Sequence, residues 1–371
     1  MQQTIELQPR STPLEWLTGT IGRILISVFV PIVTFIVLWQ GFVFLRESEA
    51  PRVMVALVAI VWGVGGVAIL FLVSNWLVER LPGQWVQRLQ PFVFVGPALA
   101  ILIWYLALPT VRTFWISLQN ANSTEFVGLQ NYVAVFTDRI MFEAFRNNLL
   151  WISFGASLSV IFGLLIAILA DRSRFETFAK SLIFLPMAIS FVGAGVIWNF
   201  IYEVRGPGDP QIGLLNAVWV GLGGQPQAWT ALIQPWNNLF LIVIVIWLQT
   251  GFAMVLFSAA LKGIPAELLE AARMDGASEP RIVFGIMLPY IRGTIITVAT
   301  TIVIFTLKIF DVVLVMTGGQ FGTHVIATQF YRQYFTNRNF GFGSAIAFVL
   351  FIAVIPVMLY NLKQFREQEA F

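Results

Sequence analysis

Eight long apolar runs divide this chain, at residues 21–45, 53–78, 92–118, 149–170, 182–202, 239–261, 290–316 and 343–362. A helix needs about 20 apolar residues to cross about 30 Å of hydrocarbon. Lipid offers no partner to a backbone N–H or C=O, so a segment crossing it must satisfy its own groups, and runs of this length do so as α-helices. The sequence therefore predicts an all-α polytopic membrane protein with about eight transmembrane helices. Composition agrees: 58% of the 371 residues are hydrophobic and 11% are charged, against roughly 25% charged in soluble domains. The first run is long and a second follows it, which argues against a cleavable signal peptide. Pro31, Pro97, Pro109, Pro186 and Pro356 lie in or near the runs and are expected to mark kinks or ends.

What the chain lacks excludes several chemistries. Without cysteine there is no disulfide framework or thiolate metal site. A single histidine, His324, supports neither a histidine metal cluster nor a nucleophile–histidine pair, and it is expected at the surface of an external loop. No G-x-x-x-x-G-K-[ST] occurs, and the glycines at 221–224 and 318–319 lack the lysine and hydroxyl that cradle phosphate and magnesium. The sequence assigns this chain no catalysis, no metal and no bound cofactor. Its net charge is +3, but the basic residues are spread over short loops, a pattern that orients a membrane protein rather than one that binds nucleic acid.

With the amino terminus in the cytoplasm, thirteen Lys and Arg fall inside, among them Arg10, Arg80, Arg172, Lys180, Lys262 and Arg366, and seven outside, among them Arg46, Arg139 and Arg332. This bias places both termini and the polar stretch 262–289 in the cytoplasm. Residues 119–148 and 203–238, rich in aromatics, Gly, Asn and Gln, then lie outside and are expected to form compact caps. The connection at 79–90 separates an amino-terminal two-helix unit, residues 1–90, from a six-helix remainder, residues 91–371. No internal repeat stands out.

The stretch EAARMDGASEPRIVFGIMLP, Glu270 to Pro289, is a polar helix–turn–helix pattern set between two apolar runs. Pro265 suits a helix's first turn, Glu267 follows near its positive end, and Asp275-Gly276 is a turn signal because Gly accepts backbone angles that other residues resist. A second helix can begin near Ser278. Ala271, Ala272 and Gly276 carry almost no side chain, so another protein could approach the backbone, with Leu268, Leu269 and Met274 as apolar contacts and Glu270 and Arg273 pairing at a rim. Two readings stay open from the residues: a docking surface for a soluble partner, or an amphipathic connection lying against its own bundle.

The same stretch resembles the EAA loop of ABC importer permeases: E-A-A, three residues, G, nine residues, I, one residue, L-P. Glu270, Ala271, Ala272, Gly276, Ile286, Leu288 and Pro289 match in register, with Arg273 and Asp275 between them. In that family the loop is the coupling helix that sits in a cleft of a separate ATP-hydrolysing subunit. The segments F-V-G-L-Q-N-Y from Phe126, R-N-N-L from Arg146, S-L-I-F-L-P from Ser181 and M-T-G-G from Met316 are similar to carbohydrate-type, maltose-permease-like subunits. T-L-K-I-F-D from Thr306 and K-Q-F-R-E-Q-E-A from Lys363 are similar to α-glucoside permeases. Many sugar permeases carry asparagine where Lys308 stands, so a maltose-type sugar site is not copied onto this chain.

The resemblance implies a six-helix permease core plus two amino-terminal helices, in the cytoplasmic (inner) membrane. It implies four kinds of company besides membrane lipid: a second permease subunit forming a heterodimer, two ATP-binding cassette subunits at the cytoplasmic loop, an extracytoplasmic solute-binding protein, and ATP and magnesium held by the partner ATPases. The implied cargo is an oligosaccharide or glycoside.

Ionisable residues inside a membrane are expensive and usually face the bundle interior or water. Lys308 and Asp311 stand three apart on one expected helix and can approach each other. They are either a polar pair on the substrate path or a structural ion pair. Asn199 with Trp198, and Gln249 with Trp247, are further path candidates, since amides bond sugar hydroxyls and aromatic faces cover sugar C–H surfaces; the tryptophans equally suit an interfacial belt. Gly155, Ser159 and Gly163 recur every four residues as a helix-packing seam. Two other transport readings stay open: a compatible solute or amino acid as cargo, or an ion-coupled carrier with Lys308 and Asp311 as its charge relay. The carrier reading predicts paired broken helices, which the apolar pattern does not display.

Overall fold

A computed structural model describes residues 13–80, 83–171, 173–206 and 208–369, with side chains described between Phe29 and Lys363. Arg10, Arg172 and Ala370, used in the charge and motif readings, lie outside the described residues. Every regular element among those described is helical. Among the described residues six helices are long and apolar enough to cross a membrane, or up to eight if each of two bent helix pairs is one span.

The chain divides into two compact units, residues 1–109 and 110–371. In the first unit α1 is Pro13–Glu47 and α2 is Arg52–Glu79. Helix α3, Gly83–Ser117, passes through a π-turn at Ile103–Ala107 and crosses the division. Its early part packs on α2, with Phe71 and Phe94 edge to face at 4.9 Å, while Phe114 beyond Pro109 meets Phe348 of the second unit at 4.9 Å. Within the first unit side chains such as Val53, Val61, Val64 and Phe92 stay exposed, as they do on a helix that faces lipid. Pro31 and Pro97 sit inside continuous helices and break neither.

In the second unit a short helix α4, Gln130–Thr137, and the start of α5, Arg139–Ala170, form one expected cap. Asp138 caps α5, its carboxylate accepting from the backbone of Ile140 at 2.8 Å and Met141 at 3.0 Å. Helices α6, Glu176–Ala188, and α7, Phe191–Ile201, follow, then α8, Leu214–Gly221, in the other cap.

Helix α9, Trp236–Lys262, is the core of this unit and the most buried of the long helices. Small residues let its neighbours come close. A Cβ on Gly163 of α5 would stand 2.4 Å from that of Ala253, and one on Gly251 of α9 would stand 2.5 Å from the carbonyl oxygen of Ile183 in α6. Ser159 is fully buried and Gly155 faces Ile242, so the four-residue repeat is the seam between α5 and α9.

The remaining elements are α10, Ala266–Met274; α11, Glu279–Tyr290; α12, Arg292–Leu307; α13, Asp311–Met316; α14, Ile326–Tyr331; and α15, Phe340–Glu369. Two of the expected straight spans are bent. Helices α6 and α7 meet at 104° and α11 and α12 at 72°. At the first bend Pro186 lies in the last turn of α6, Ile189 is extended, and the hydroxyl of Ser190 caps α7 by accepting from Gly193 N at 3.0 Å. The sequence reading found no broken helices, because apolar content continues through the break while backbone direction does not.

Candidate functional site: a docking loop and a polar cavity

The docking loop forms as its residues dictate. Pro265 precedes α10, Gly276 takes φ +77° at the turn, and Ser278 precedes α11 with Pro280 in its first turn. Nothing lies within 4 Å of where a Cβ on Gly276 would be, so the turn needs glycine for its backbone angle and not for space. Ile264 and Ile282 are buried and Leu269 packs against the core formed by α5, α9 and α12. These three residues hold the loop to its own bundle by one edge. No residue of α10 is buried, and Leu268, Glu270, Ala271, Arg273, Met274 and Asp275 are exposed, Met274 by 87%. The rim charge Arg273 bonds Glu279 across the turn at 3.1 Å, and Glu270 stands free on the outer face. Ile286 and Leu288 are half-buried and Pro289 is exposed just before the bend into α12.

The second region lies at the helix breaks. Lys308 and Asp311 do not share a helix. Helix α12 ends at Leu307, Phe310 leaves helical geometry with φ −140°, and α13 begins at Asp311. Asn148 explains the interruption: its side-chain amide donates to the carbonyl of Leu307 at 2.9 Å, satisfying a group that a continuous helix would have satisfied itself. Among the described residues no ion pair within 4.0 Å joins Lys308 to Asp311, which overturns the expected approach; the break sets them on separate elements. Both line a cavity of ≈ 270 Å³ with Phe191, Phe305, Ile309 and Phe310.

A neighbouring cavity of ≈ 230 Å³ shares Phe191 and Phe305 and adds Gln249, Met187, Ile189 and Thr301. Phe191 and Phe305 stack at 5.6 Å and 26° between the two. Lys308, Asp311 and Gln249 thus come together around paired aromatic faces. Trp198 and Trp247 do not line either cavity. They pack edge to face at 5.8 Å, with Tyr202 beside Trp198 at 5.1 Å, in the core around α9. Asn199 is exposed on α7 and joins neither group. A larger groove of ≈ 450 Å³ lies between α1 and α2, but its walls are Phe, Trp, Leu, Val and Gly.

Sequence reasoning missed Phe191, Phe305 and Phe310, and it missed the asparagines that hold the backbone at 307 and 321–326. Asn147 donates to the carbonyls of Gly322 and His324 at 2.7 and 2.8 Å, and Asn148 accepts from Ile326 N at 2.8 Å. Asn237 donates to Phe321 O at 2.6 Å, and Asn238 accepts from the indole of Trp151 at 3.3 Å. All four asparagines are buried. The available signal was polar: two Asn-Asn pairs opening long apolar runs, where an unpaired amide is costly.

These bonds fold the loop at 317–325 back onto α5 and α9. His324 is consequently buried, 8% exposed, and not a surface residue as expected. A Cβ on Gly319 would stand 2.0 Å from its ring, and Gly319 adopts φ +81°. Arg332, which has only donors, points Nη1 at His324 Nε2 at 3.2 Å, and Nδ1 meets the hydroxyl of Thr328 at 3.3 Å. Burial first, and the Arg332 charge second, lower the imidazole's pKa to about 4, so His324 is neutral near pH 7.

Comparison with known proteins fits this geometry. The family model described as binding-protein-dependent transport system inner membrane component matches residues 159–367. The osmoprotective compounds uptake permease protein GgtC of Synechocystis sp. is 53% identical over 277 residues, which cover 75% of this chain and 99% of that relative. The alpha-glucoside transport system permease protein AglF of Rhizobium meliloti is 51% identical, with 75% of this chain and 82% of that relative covered. A chain in the crystal structure of a bacterial alginate ABC transporter, solved with its alginate pentasaccharide-bound periplasmic protein, shares the fold. Its TM-score is 0.65 at 19% identity, over 74% of this chain and 94% of that one.

Proposed function

The chain belongs to the binding-protein-dependent transport system inner membrane components, as a permease subunit of an ABC importer, and from that premise we propose that it carries a neutral α-glucoside of the kind used as an osmoprotectant. One observation carries the proposal: the relatives named for osmoprotective compounds and for α-glucosides are almost equally similar to this chain, 53% and 51% identical. A small neutral α-glucoside belongs to both descriptions. The cavity suits it, since Gln249, Lys308 and Asp311 can bond hydroxyls while Phe191 and Phe305 cover C–H faces.

The chain supplies the path, and partners supply the energy. In this reading the exposed face of α10, with Glu270, Ala271, Ala272 and Gly276, seats in a cytoplasmic ATPase subunit that binds ATP and magnesium. A second permease subunit completes the path. An extracytoplasmic binding protein delivers solute to the side of the 317–325 loop, and both chain termini lie in the cytoplasm.

A second cargo is favoured by one feature. Lys308 and Asp311 face one cavity without pairing, and opposite charges held apart beside three phenyl rings also suit a zwitterionic compatible solute. The test reconstitutes the permease pair, ATPases and binding protein in vesicles and measures ATP-driven uptake of labelled trehalose, sucrose and glycine betaine. Uptake of the glucosides without betaine is the expected result. Betaine uptake without the glucosides sinks the α-glucoside reading, and uptake that persists without the ATPases but collapses with the proton gradient sinks the importer reading.

A further inference from the structure

Five polar side chains meet where α5 ends, α6 begins and α9 ends. Asp171 follows the last residue of α5, Glu176 and Lys180 occupy the first turns of α6, and Ser258 and Lys262 lie in the last turns of α9. The Lys180 ammonium is ion-paired with Asp171 and with Glu176, the latter at 2.6 Å, and bonds the Ser258 hydroxyl. Ser258 in turn bonds Asp171 at 2.8 Å, and Lys262 pairs with Glu176. Two carboxylates and two ammoniums balance one another.

Position separates this knot from ordinary surface pairs, which contribute little. The side chains of Lys180 and Asp171 are only 15% and 17% exposed. Removing one partner there strands a charge out of water. The knot is also placed between the two functional regions. Three residues separate Lys262 from the start of the docking helix α10, and its entry turn is anchored by buried Ile264. On the other side, the last turn of α6 places Met187, and Ile189 just beyond it, in the cavity wall. Gly251 lets the backbone of α6 lie directly on α9 a little further along, so the two helices are fastened at two levels. Residues 249 to 262 span about 20 Å at 1.5 Å per residue, which is the reach from the docking loop to Gln249.

We propose that Lys180 is a positioning residue for transport: it locks α6 to the end of α9, so that displacement of α10 by a partner ATPase moves the Met187–Ile189 wall of the cavity together with Gln249. The proposal rests on the importer reading. Without the lock, α9 could shift while α6 stayed behind, and ATP would be hydrolysed with the cavity unchanged.

The chain has no cysteine, so Met187→Cys places a single thiol on that wall of this subunit. In the assembled transporter with cysteine-free partners, a maleimide probe reads the rate of labelling with and without ATP and vanadate. We expect ATP to change the parent's rate severalfold, Lys180→Met to bring that ratio near one while ATP hydrolysis persists, and Lys180→Arg to restore the response. A full response in Lys180→Met overturns the proposal and leaves the importer reading intact. No ATP response in the parent also overturns the proposal, because the wall then does not follow ATP, while ATP-driven uptake in the same preparation reports separately on the importer reading. If Lys180→Met fails to assemble, Lys180→Met combined with Asp171→Asn removes the central pair without stranding either charge. An assembled double variant without the response supports the proposal. One that responds fully, or one that also fails to assemble, overturns it, the latter because the knot then serves folding and not transmission.

Discussion

The docking loop and the cavity are built on opposite principles. In the loop, each conformational step is made by the residue that needs it: Pro265 opens a helix, Gly276 turns the chain at φ +77°, and Ser278 and Pro280 start the next helix. In the cavity, the decisive step is made from far away. The helix stops at Leu307 where Asn148, 159 positions earlier, bonds its carbonyl. The loop meets water and keeps its shape with one edge buried, whereas the cavity lies among apolar helices, where every freed backbone group must find a protein partner or a solvated cavity. The exposed loop is specified locally; the opening among the apolar helices is specified by the bundle.

The expected effect on transport tests the local half of that contrast. A non-glycine residue held at Gly276's angles costs about 1–3 kcal/mol, and about 1.4 kcal/mol is tenfold in an equilibrium. Gly276→Val should cut ATP-driven uptake by about tenfold or more on that scale, and lower the thermal midpoint of the isolated permease only through the strained turn, since nothing packs on that site. Gly276→Asn, which tolerates left-handed geometry, should retain most uptake. Equal losses in both variants would mean that partner contact, and not backbone angle, fixes the residue.

The distant half is tested by Asn148→Ala, which strands Leu307 O and Ile326 N. A loss of about 2–3 kcal/mol is expected on the scale of buried unsatisfied groups, read as a lower midpoint in thermal unfolding, together with altered labelling at the cavity. An unchanged cavity would show that the break at Lys308 holds without its distant partner.

His324 sharpens the same point through pH. Its folded pKa of about 4 lies below the ordinary 6.5, so its contribution is fully present above pH 6.5. The contribution drains as pH falls from about 6.5 to about 4, because the unfolded imidazole takes up the proton first. The loss is at most about 3 kcal/mol. His324→Gln should flatten the acid dependence of the thermal midpoint between pH 7 and pH 5, and an unaltered dependence would remove His324 as its source.

The smallest effect concerns Lys308 and Asp311. Because they line one cavity without pairing, a double-mutant cycle of Lys308→Met and Asp311→Asn on solute affinity should show coupling below about 0.5 kcal/mol, the value for independent sites. Strong coupling would restore the pair that their spacing suggests.

These differences trace what could be read from the residues. The number of membrane-length segments was legible because hydrophobicity alone sets it, and the seam of Gly155, Ser159 and Gly163 because small residues at helical spacing admit a close neighbour. Proline was a mixed guide: Pro186 stands at the first bend as expected, but Pro31, Pro97 and Pro356 sit inside continuous helices, and the interruption before Asp311 has no proline in it. Of the path candidates, Lys308 and Asp311 line one cavity and Gln249 its neighbour, whereas Trp198 and Trp247 pack in the core and Asn199 stands apart.

By itself the sequence determined that this is a helical membrane protein, with a polar helix–turn–helix whose residues match the coupling loop of importer permeases. Both follow from local quantities: apolar run length against bilayer thickness, and residue type against backbone angle. The break at Lys308, the burial of His324 and the Phe191–Phe305 stack that sets the cavity of Gln249 beside that of Lys308 and Asp311 were decided by tertiary structure alone. Each depends on a hydrogen bond or a close approach between residues far apart in the chain, and periodicity carries no record of which distant amide will satisfy a given carbonyl.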